Sequence, residues 1–255
     1  MIADTPIVVL CGGQGIFVDA TGKRVPKPLV QVAGKPMIEH LLSFYIKAGF
    51  KEFILSAGES FSGLNKWLTE TCNADCVLPN EFKVSKWGSV CHVRLVDSGL
   101  NASTGSRIFQ VAKFLQGAEN FGVTYSDTLA PKLNLKELFD AHVNSGKLAI
   151  LVGARIPIRF RILGVRFGET LVRGFATRPV IRTEFINGGF YFFKKEIMAT
   201  EYLGAGVNQP ALELDTLEKL AEASQLESFP FEESWQYLDS ERDIIAIGQI
   251  LSNAN

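Results

Sequence analysis

From Ile7 to Leu10 the chain is branched and apolar, and it breaks at once into Cys11-Gly12-Gly13-Gln14-Gly15. A short apolar run that ends in glycine reads as a buried strand opening into a loop. This start constrains the rest, because a strand buried on both faces needs a layer of structure above and another below. The pattern downstream supplies them. Met37, Ile38, Leu41, Leu42, Tyr45 and Ile46 recur at helical spacing, with Gly49 placed to end the helix. Residues 51–57 read as a second strand. A helix around 63–72, a strand at 92–97, a helix at 104–116, a strand at 121–125, a helix at 135–144 and a strand at 148–154 follow in order.

Strand and helix in alternation predict an α/β fold, with a Rossmann-like, mostly parallel sheet and helices on both faces. Right-handed crossovers then bring the loops after the strand C-termini to one edge, where ligands bind. Beyond Ala154 the pattern turns β-rich over 161–167, 169–175 and 184–193, and helices return at 210–223 and 242–251. No linker, repeat or composition shift interrupts it. Residues 1–255 therefore read as a single domain, with a core over 1–154 and a β-rich elaboration over 155–255.

Charge narrows the function classes. Twenty-six basic residues against 27 acidic leave a net charge of −1, so no polycationic surface exists for nucleic acid or an anionic membrane. Any anionic ligand must be held by local chemistry. The longest apolar stretches fall far short of the roughly 20 residues that span a bilayer, and the N-terminus lacks a signal-peptide pattern. Cys11, Cys72, Cys76 and Cys91 are too irregularly spaced for a disulfide framework or a zinc site. The expectation is a soluble, cytoplasmic protein with free thiols.

Gly12, Gly13 and Gly15 offer backbone N–H groups with no side chain in the way, which suits a phosphate chain. The loop is neither a Walker motif, since no Gly-Lys-Ser/Thr follows, nor the dinucleotide fingerprint, since its third glycine comes too early. Glycines alone describe a flexible turn equally well. Pro26-Lys27-Pro28 sets a lysine between two residues of fixed φ, either a rigid surface turn or a cation held ready to neutralise phosphate.

The glycine loop, Pro-Lys-Pro-Leu-Val and then Gly34-Lys35-Pro36-Met37-Ile38 together resemble the N-terminal signature of the sugar-1-phosphate nucleotidyltransferases. The glucose-1-phosphate cytidylyltransferases are the nearest branch. Further blocks follow in family order: Val96 to Asn101 with Thr104-Gly105-Ser106-Arg107, then Thr124 to Asp127, Ile186 to Phe190, and Trp235 to Asp243. The resemblance implies the nucleotide-diphospho-sugar transferase type of fold, with 155–255 as the sugar-binding part. It also implies a reaction in which a sugar phosphate oxygen attacks the α-phosphorus of a nucleoside triphosphate, CTP in this branch, and pyrophosphate leaves. Two anions must meet, so catalysis rests on positioning and on neutralisation by Mg²⁺ and cationic side chains.

Residue by residue, the resemblance implies that Asp127 and Asp239 ligate Mg²⁺, although an aspartate ending a strand also reads as a helix cap. Lys27 contacts the triphosphate, and Gly12, Gly13, Gly15, Thr104, Gly105 and Arg107 bind the nucleotide. Arg178 stands where the family carries a sugar-phosphate lysine, keeping the charge in a planar fork. Asn187, Gly188 and Gly189 match the sugar-side loop, or else form a bulge in a buried strand. Relatives often form homo-oligomers, and the aromatic-rich 185–193 segment reads as interface or as core. The product would feed surface polysaccharide synthesis.

Two departures stand out. Where the signature has Thr-Arg-Leu, this chain has Ile16-Phe17-Val18. Losing a preorganised donor of that kind costs on the order of 3–4 kcal/mol in the transition state. Arg24, in a loop with Lys23 and Lys27, is a candidate to replace the lost charge, or a solvated loop tip. A chain that lost the arginine also admits a non-catalytic reading, as a binder of nucleotide-sugar or sugar phosphate, and Phe17→Arg is then expected to gain activity. The second departure is 155–161, where only Arg159-Phe160 of the branch's rim motif is kept; it motivates a third reading, a transferase for a non-hexose phosphate. His40, His92 and His142 are isolated and carry no assignment. Trp67 and Trp87 read as core or groove fillers, and Trp235 as core or a border of the sugar pocket.

Overall fold

The computed structural model describes residues 2–13, 16–18, 21–72, 74–155, 162–163, 168, 170–176, 184–199, 202–203 and 210–253. Strand β1 (Pro6–Leu10) is buried at every position. Because side chains alternate along a strand, Ile7 and Val9 enter one hydrophobic core while Val8 and Leu10 enter another on the opposite face. Helix α1 (Met37–Lys47) lays Ile38, Leu41, Leu42 and Tyr45 into the first core. On the other face α2 (Thr104–Gln110) contributes Ile108. The helices on both faces that the alternation predicts are present.

Among the described residues the sheet has nine strands. In chain order they are β1, β2 (Glu52–Ala57), β3 (Asp75–Leu78), β4 (Glu81–Val84), β5 (Cys91–Asp97), β6 (Asn120–Tyr125), β7 (Ala149–Ala154), β8 (Ile186–Lys194) and β9 (Leu226–Phe231). Across the sheet they run β9-β7-β8-β6-β1-β2-β5-β4-β3. The central β6-β1-β2-β5 block is parallel, β9 is parallel to β7, and β8 and β4 run antiparallel to their neighbours. The mostly parallel sheet is thus observed.

Several details differ from expectation, and of the expected 169–175 strand residues 170–174 are exposed and not in a strand, with only Phe175–Ala176 paired, to Ile162–Leu163. The 104–116 helix is two pieces, since α2 ends at Gln110 and a 3₁₀ turn takes Ala112–Leu115. The β3–β4 hairpin was not anticipated, because β3 is exposed throughout and has no apolar face to signal it. Strand β9 was missed for the same reason, with only Phe231 buried.

Strand β8 settles one open reading. Phe190, Tyr191, Phe192 and Phe193 are each at most 1% exposed within the single chain, so the aromatic segment is core. Phe190 and Phe192 point into the first core, Tyr191 and Phe193 into the second. Among the described residues, no helix is long and apolar enough to cross a membrane. The cysteines are free, with Cys11, Cys72 and Cys91 buried and Cys76 exposed.

Candidate active site

The C-terminal ends of β1, β2, β5 and β6 deliver Cys11 to Gly13, Gly58, Ser98 to Leu100 and Ser126-Asp127 to one edge of the sheet. There the Lys27 ammonium bonds the Asp127 carboxylate at 3.1 Å and that of Asp239 at 3.2 Å. These residues lie 100 and 212 positions from Lys27 in the chain. Burial works to lower the lysine pKa, but the Asp127 charge and the hydrogen bonds to both carboxylates prevail, so the ammonium is held above its ordinary value. Lys27 is therefore a fixed cation.

Each member is placed by local chemistry. Lys27 opens a 3₁₀ turn, Lys27–Leu29, after Pro26 at φ −56°, so the flanking prolines set its backbone direction. Asp127 follows β6, and its carbonyl accepts from Leu238 N–H at 2.8 Å. That bond belongs to a short ladder, Thr128–Leu129 against Gln236–Tyr237, which carries Asp239 to the site. Asp239 is held by Asp243, whose Oδ2 accepts from the N–H of Asp239 (3.1 Å) and of Ser240 (2.8 Å) and from the Ser240 hydroxyl (2.8 Å). The Asp243 Oδ1 accepts from Gln236 at 2.9 Å. Asp243 carries out this positioning although the motif comparison gave it no role. Ser240-Glu241-Arg242-Asp243 has the Ser-x-x-Asp pattern of a capping box at the start of α3 (Glu241–Asn253), which is the signal that marks it.

Asp127 and Asp239 present hard oxygen donors side by side. Magnesium takes one or two carboxylates with phosphate oxygens and water, and this donor set fits it. Among the described residues no three His, Cys, Asp or Glu converge into a cage of their own.

The nucleotide-side residues meet a different geometry from the one expected. Arg107 is 1% exposed. Its Nη1 donates to Ala57 O and Ser98 Oγ, and its Nη2 to Gly99 O and Leu100 O. Four of the five guanidinium N–H bonds are thus spent on the chain ends of β2 and β5. The guanidinium also fills the space where a Cβ on Gly12 would lie. Arg107 stands beneath the glycine loop. Thr104 is similarly engaged, its hydroxyl accepting from Leu212 N–H (2.8 Å) and donating to Glu213 (3.2 Å). Gly105 N–H donates to Pro210 O at 3.0 Å, and that backbone leaves no room for a side chain. In this structure Thr104, Gly105 and Arg107 turn their polar groups to the protein.

Gly12 and Gly13 lie directly after β1, with Gly13 at φ +111°. Burial pushes the Cys11 thiol up, which leaves it protonated and unreactive. Gly15, Arg178 and Arg159-Phe160 lie outside the described residues. On the sugar side, Asn187 Oδ1 accepts from Gly189 N–H at 3.1 Å, and Gly189 sits at φ +75°. The β7–β8 register shifts here, from Leu151 opposite Tyr191 to Gly153 opposite Asn187. The segment is a bulge and also faces the site, since Gly189 lies against Tyr125 and Thr128 beside Asp127.

Phe17 does not face the site. It is 4% exposed and packs with Val30, Val32, Met37, Leu129, Leu238 and Ile247 in a third apolar cluster. Leu129 and Leu238 stand next to the two aspartates, so the ring braces the segments that carry them. In the Ile16–Val18 and Arg24–Pro26 hairpin, Phe17 is paired with Val25 and Val18 with Arg24. Arg24 leaves on the opposite, exposed face and does not take the place of Phe17. His142 is buried against Asn120 at 3.0 Å, and burial lowers its pKa to about 4. His40 Nε2 bonds Val32 O at 2.7 Å.

A glycine loop, a locked lysine and two aspartates at the C-terminal edge of a Rossmann-like sheet define an enzyme class that handles nucleotides and transfers phosphoryl-linked groups. Residues 7–249 match the family model described as nucleotidyl transferase, and the chain belongs to that family. It is 31% identical over 244 residues to glucose-1-phosphate cytidylyltransferase of Salmonella typhimurium, covering 92% of this chain and 91% of the relative. It is 25% identical over 193 residues to D-glycero-alpha-D-manno-heptose 1-phosphate guanylyltransferase of Campylobacter jejuni, covering 74% and 76%. In structure it is similar to HddC from Yersinia pseudotuberculosis, with TM-score 0.68, 19% identity and coverage of 97% and 99%.

Proposed function

We propose that this protein transfers a nucleotidyl group, CMP from CTP, to a sugar 1-phosphate and releases pyrophosphate, with Mg²⁺ as cofactor. The meeting of Lys27, Asp127 and Asp239 from three distant parts of the chain carries this reading. The cytidylyltransferase relative matches this chain at higher identity than the guanylyltransferase relative, which supports CTP.

In this reading an oxygen of the sugar phosphate, already an anion, attacks the α-phosphorus in line. A new P–O bond forms, the bond to pyrophosphate breaks, and no proton needs to be moved. The chain's task is to bring two anions together and hold them in line. The N–H groups at Gly12, Gly13 and Gly15 receive the phosphate chain. Lys27 neutralises it, and its two carboxylate bonds keep the ammonium from wandering. Arg178 pairs with the sugar phosphate, and Asn187, Gly188 and Gly189 receive sugar hydroxyls. Asp127 and Asp239 would hold Mg²⁺, which when bound would supply charge neutralisation at the phosphates.

Pyrophosphate release with Mg²⁺, from each of the four ribonucleoside triphosphates against a panel of hexose, heptose and polyol phosphates, tests this. The expected result is release with CTP and one sugar 1-phosphate, falling at least about 10²-fold in Asp127→Ala. Release with another triphosphate alone would overturn the base assignment. Silence from a protein that still binds nucleotide would overturn the catalytic reading in favour of a binding protein.

A further inference from the structure

We infer that Trp235 is a positioning residue that ties the sugar-side bulge to the carboxylate pair and so sets acceptor affinity. The inference rests on the proposed reaction. Trp235 Nε1 donates to Gly188 O at 2.8 Å. Gly188 lies inside the bulge, where the β7–β8 ladder is interrupted between Leu151 and Gly153. It has no side chain to anchor it, and a Cβ there would press on the Val152 carbonyl. The indole N–H supplies a hydrogen bond to this interrupted stretch.

The other end of the tie is covalent. Trp235 leads directly into Gln236-Tyr237, which pairs with Leu129-Thr128. Leu238 N–H then bonds Asp127 O at 2.8 Å, and Asp239 bonds Lys27. One run of five residues therefore touches both the Asn187-Gly188-Gly189 bulge and both aspartates. The indole packs against the first core and lies 5.8 Å from the Tyr237 ring, so its direction is set by packing. Without the bond, the Gly188 carbonyl is no longer tied to the strand that fixes the aspartates. Asn187 loses register against the acceptor, while the glycine loop and Lys27 on the nucleotide side are untouched.

The chain has three tryptophans. Among the described residues, the buried indole N–H groups of Trp67 and Trp87 have no hydrogen-bond partner. Replacing every tryptophan biosynthetically with β-benzothienylalanine, which keeps the ring shape and puts sulfur where the N–H stood, removes a single indole hydrogen bond, that of Trp235. The expected result is a rise of about tenfold in KM for the sugar 1-phosphate, with kcat and the KM for the triphosphate within about twofold of wild type. A purely structural role would instead shift both KM values and kcat together, or lower the melting temperature alone, and either outcome overturns the inference. An unchanged acceptor KM also overturns it. Should the substituted chain not fold, Trp235→Phe gives the same kinetic test at one position. A wild type that turns over no sugar 1-phosphate overturns the proposed reaction, and this inference with it; an active wild type with an unaffected isostere overturns the inference alone.

Discussion

At position 17 the motif and the packing point in opposite directions. Signature alignment puts a cation there, and the expected remedy for its loss is Phe17→Arg. The structure shows the ring sealed among Leu129, Leu238 and Met37. An arginine in that place would bury an unpaired charge and remove an aromatic contact from beneath both aspartates. Phe17→Arg is therefore expected to cost on the order of 3–4 kcal/mol of stability, about 10 °C in melting temperature for a chain of this size, and to gain no activity. Calorimetry beside a pyrophosphate assay checks both parts; an active variant melting like wild type would show that the segment has another way to turn. Lys27 is the contrasting case. Its backbone direction was readable because Pro-Lys-Pro has a local physical meaning, namely fixed φ on both sides, that survives whatever surrounds it.

Among the elements, the turn after β1 shows how a glycine can be required by a residue far along the chain. Gly12 is bare because the Arg107 guanidinium occupies the space a Cβ would need. Gly12→Ala should push the guanidinium off its acceptors and cost about 1–3 kcal/mol. Arg107→Ala should cost at least as much, because it removes four hydrogen bonds and empties the space of a side chain that is 1% exposed. The two act through one set of hydrogen bonds, so the double variant is expected to lose less than the sum of the singles. Urea unfolding of the four proteins measures this coupling, and strict additivity would contradict it. The sequence placed Arg107 near the nucleotide by motif order alone. It held no information on which way the side chain points, since that depends on carbonyls at the ends of two strands.

For the whole molecule, the decisive feature is the insertion of β8. A core over 1–154 with an elaboration over 155–255 describes the order of the chain. In space, β8 lies between β6 and β7 and bonds to both. Phe190, Tyr191, Phe192 and Phe193 supply large buried side chains to both cores. A fragment of residues 1–154 would leave β6 and β7 with open edges and both cores unfilled. It is expected to show no cooperative thermal transition by circular dichroism, while the full chain unfolds in one step. A fragment that melts cooperatively would establish the first part as an independent domain.

The sequence by itself determined what short-range physics decides. The apolar run before the glycines, the 3.6-residue spacing of α1 and the alternation of strand and helix each express a local need to bury one face, and each appears in the structure. The order of the motif blocks carried the family. The tertiary structure alone decided the meetings: Lys27 with Asp127 and Asp239, Trp235 with Gly188, Arg107 with Gly12 and Phe17 with the floor of the site. Periodicity reports which positions are apolar but not what they pack against, and a three-residue strand such as Ile16–Val18 is too short for alternation to reveal which face turns inward. Those choices follow from strand order and crossover geometry, which bring residues more than a hundred positions apart within hydrogen-bond distance.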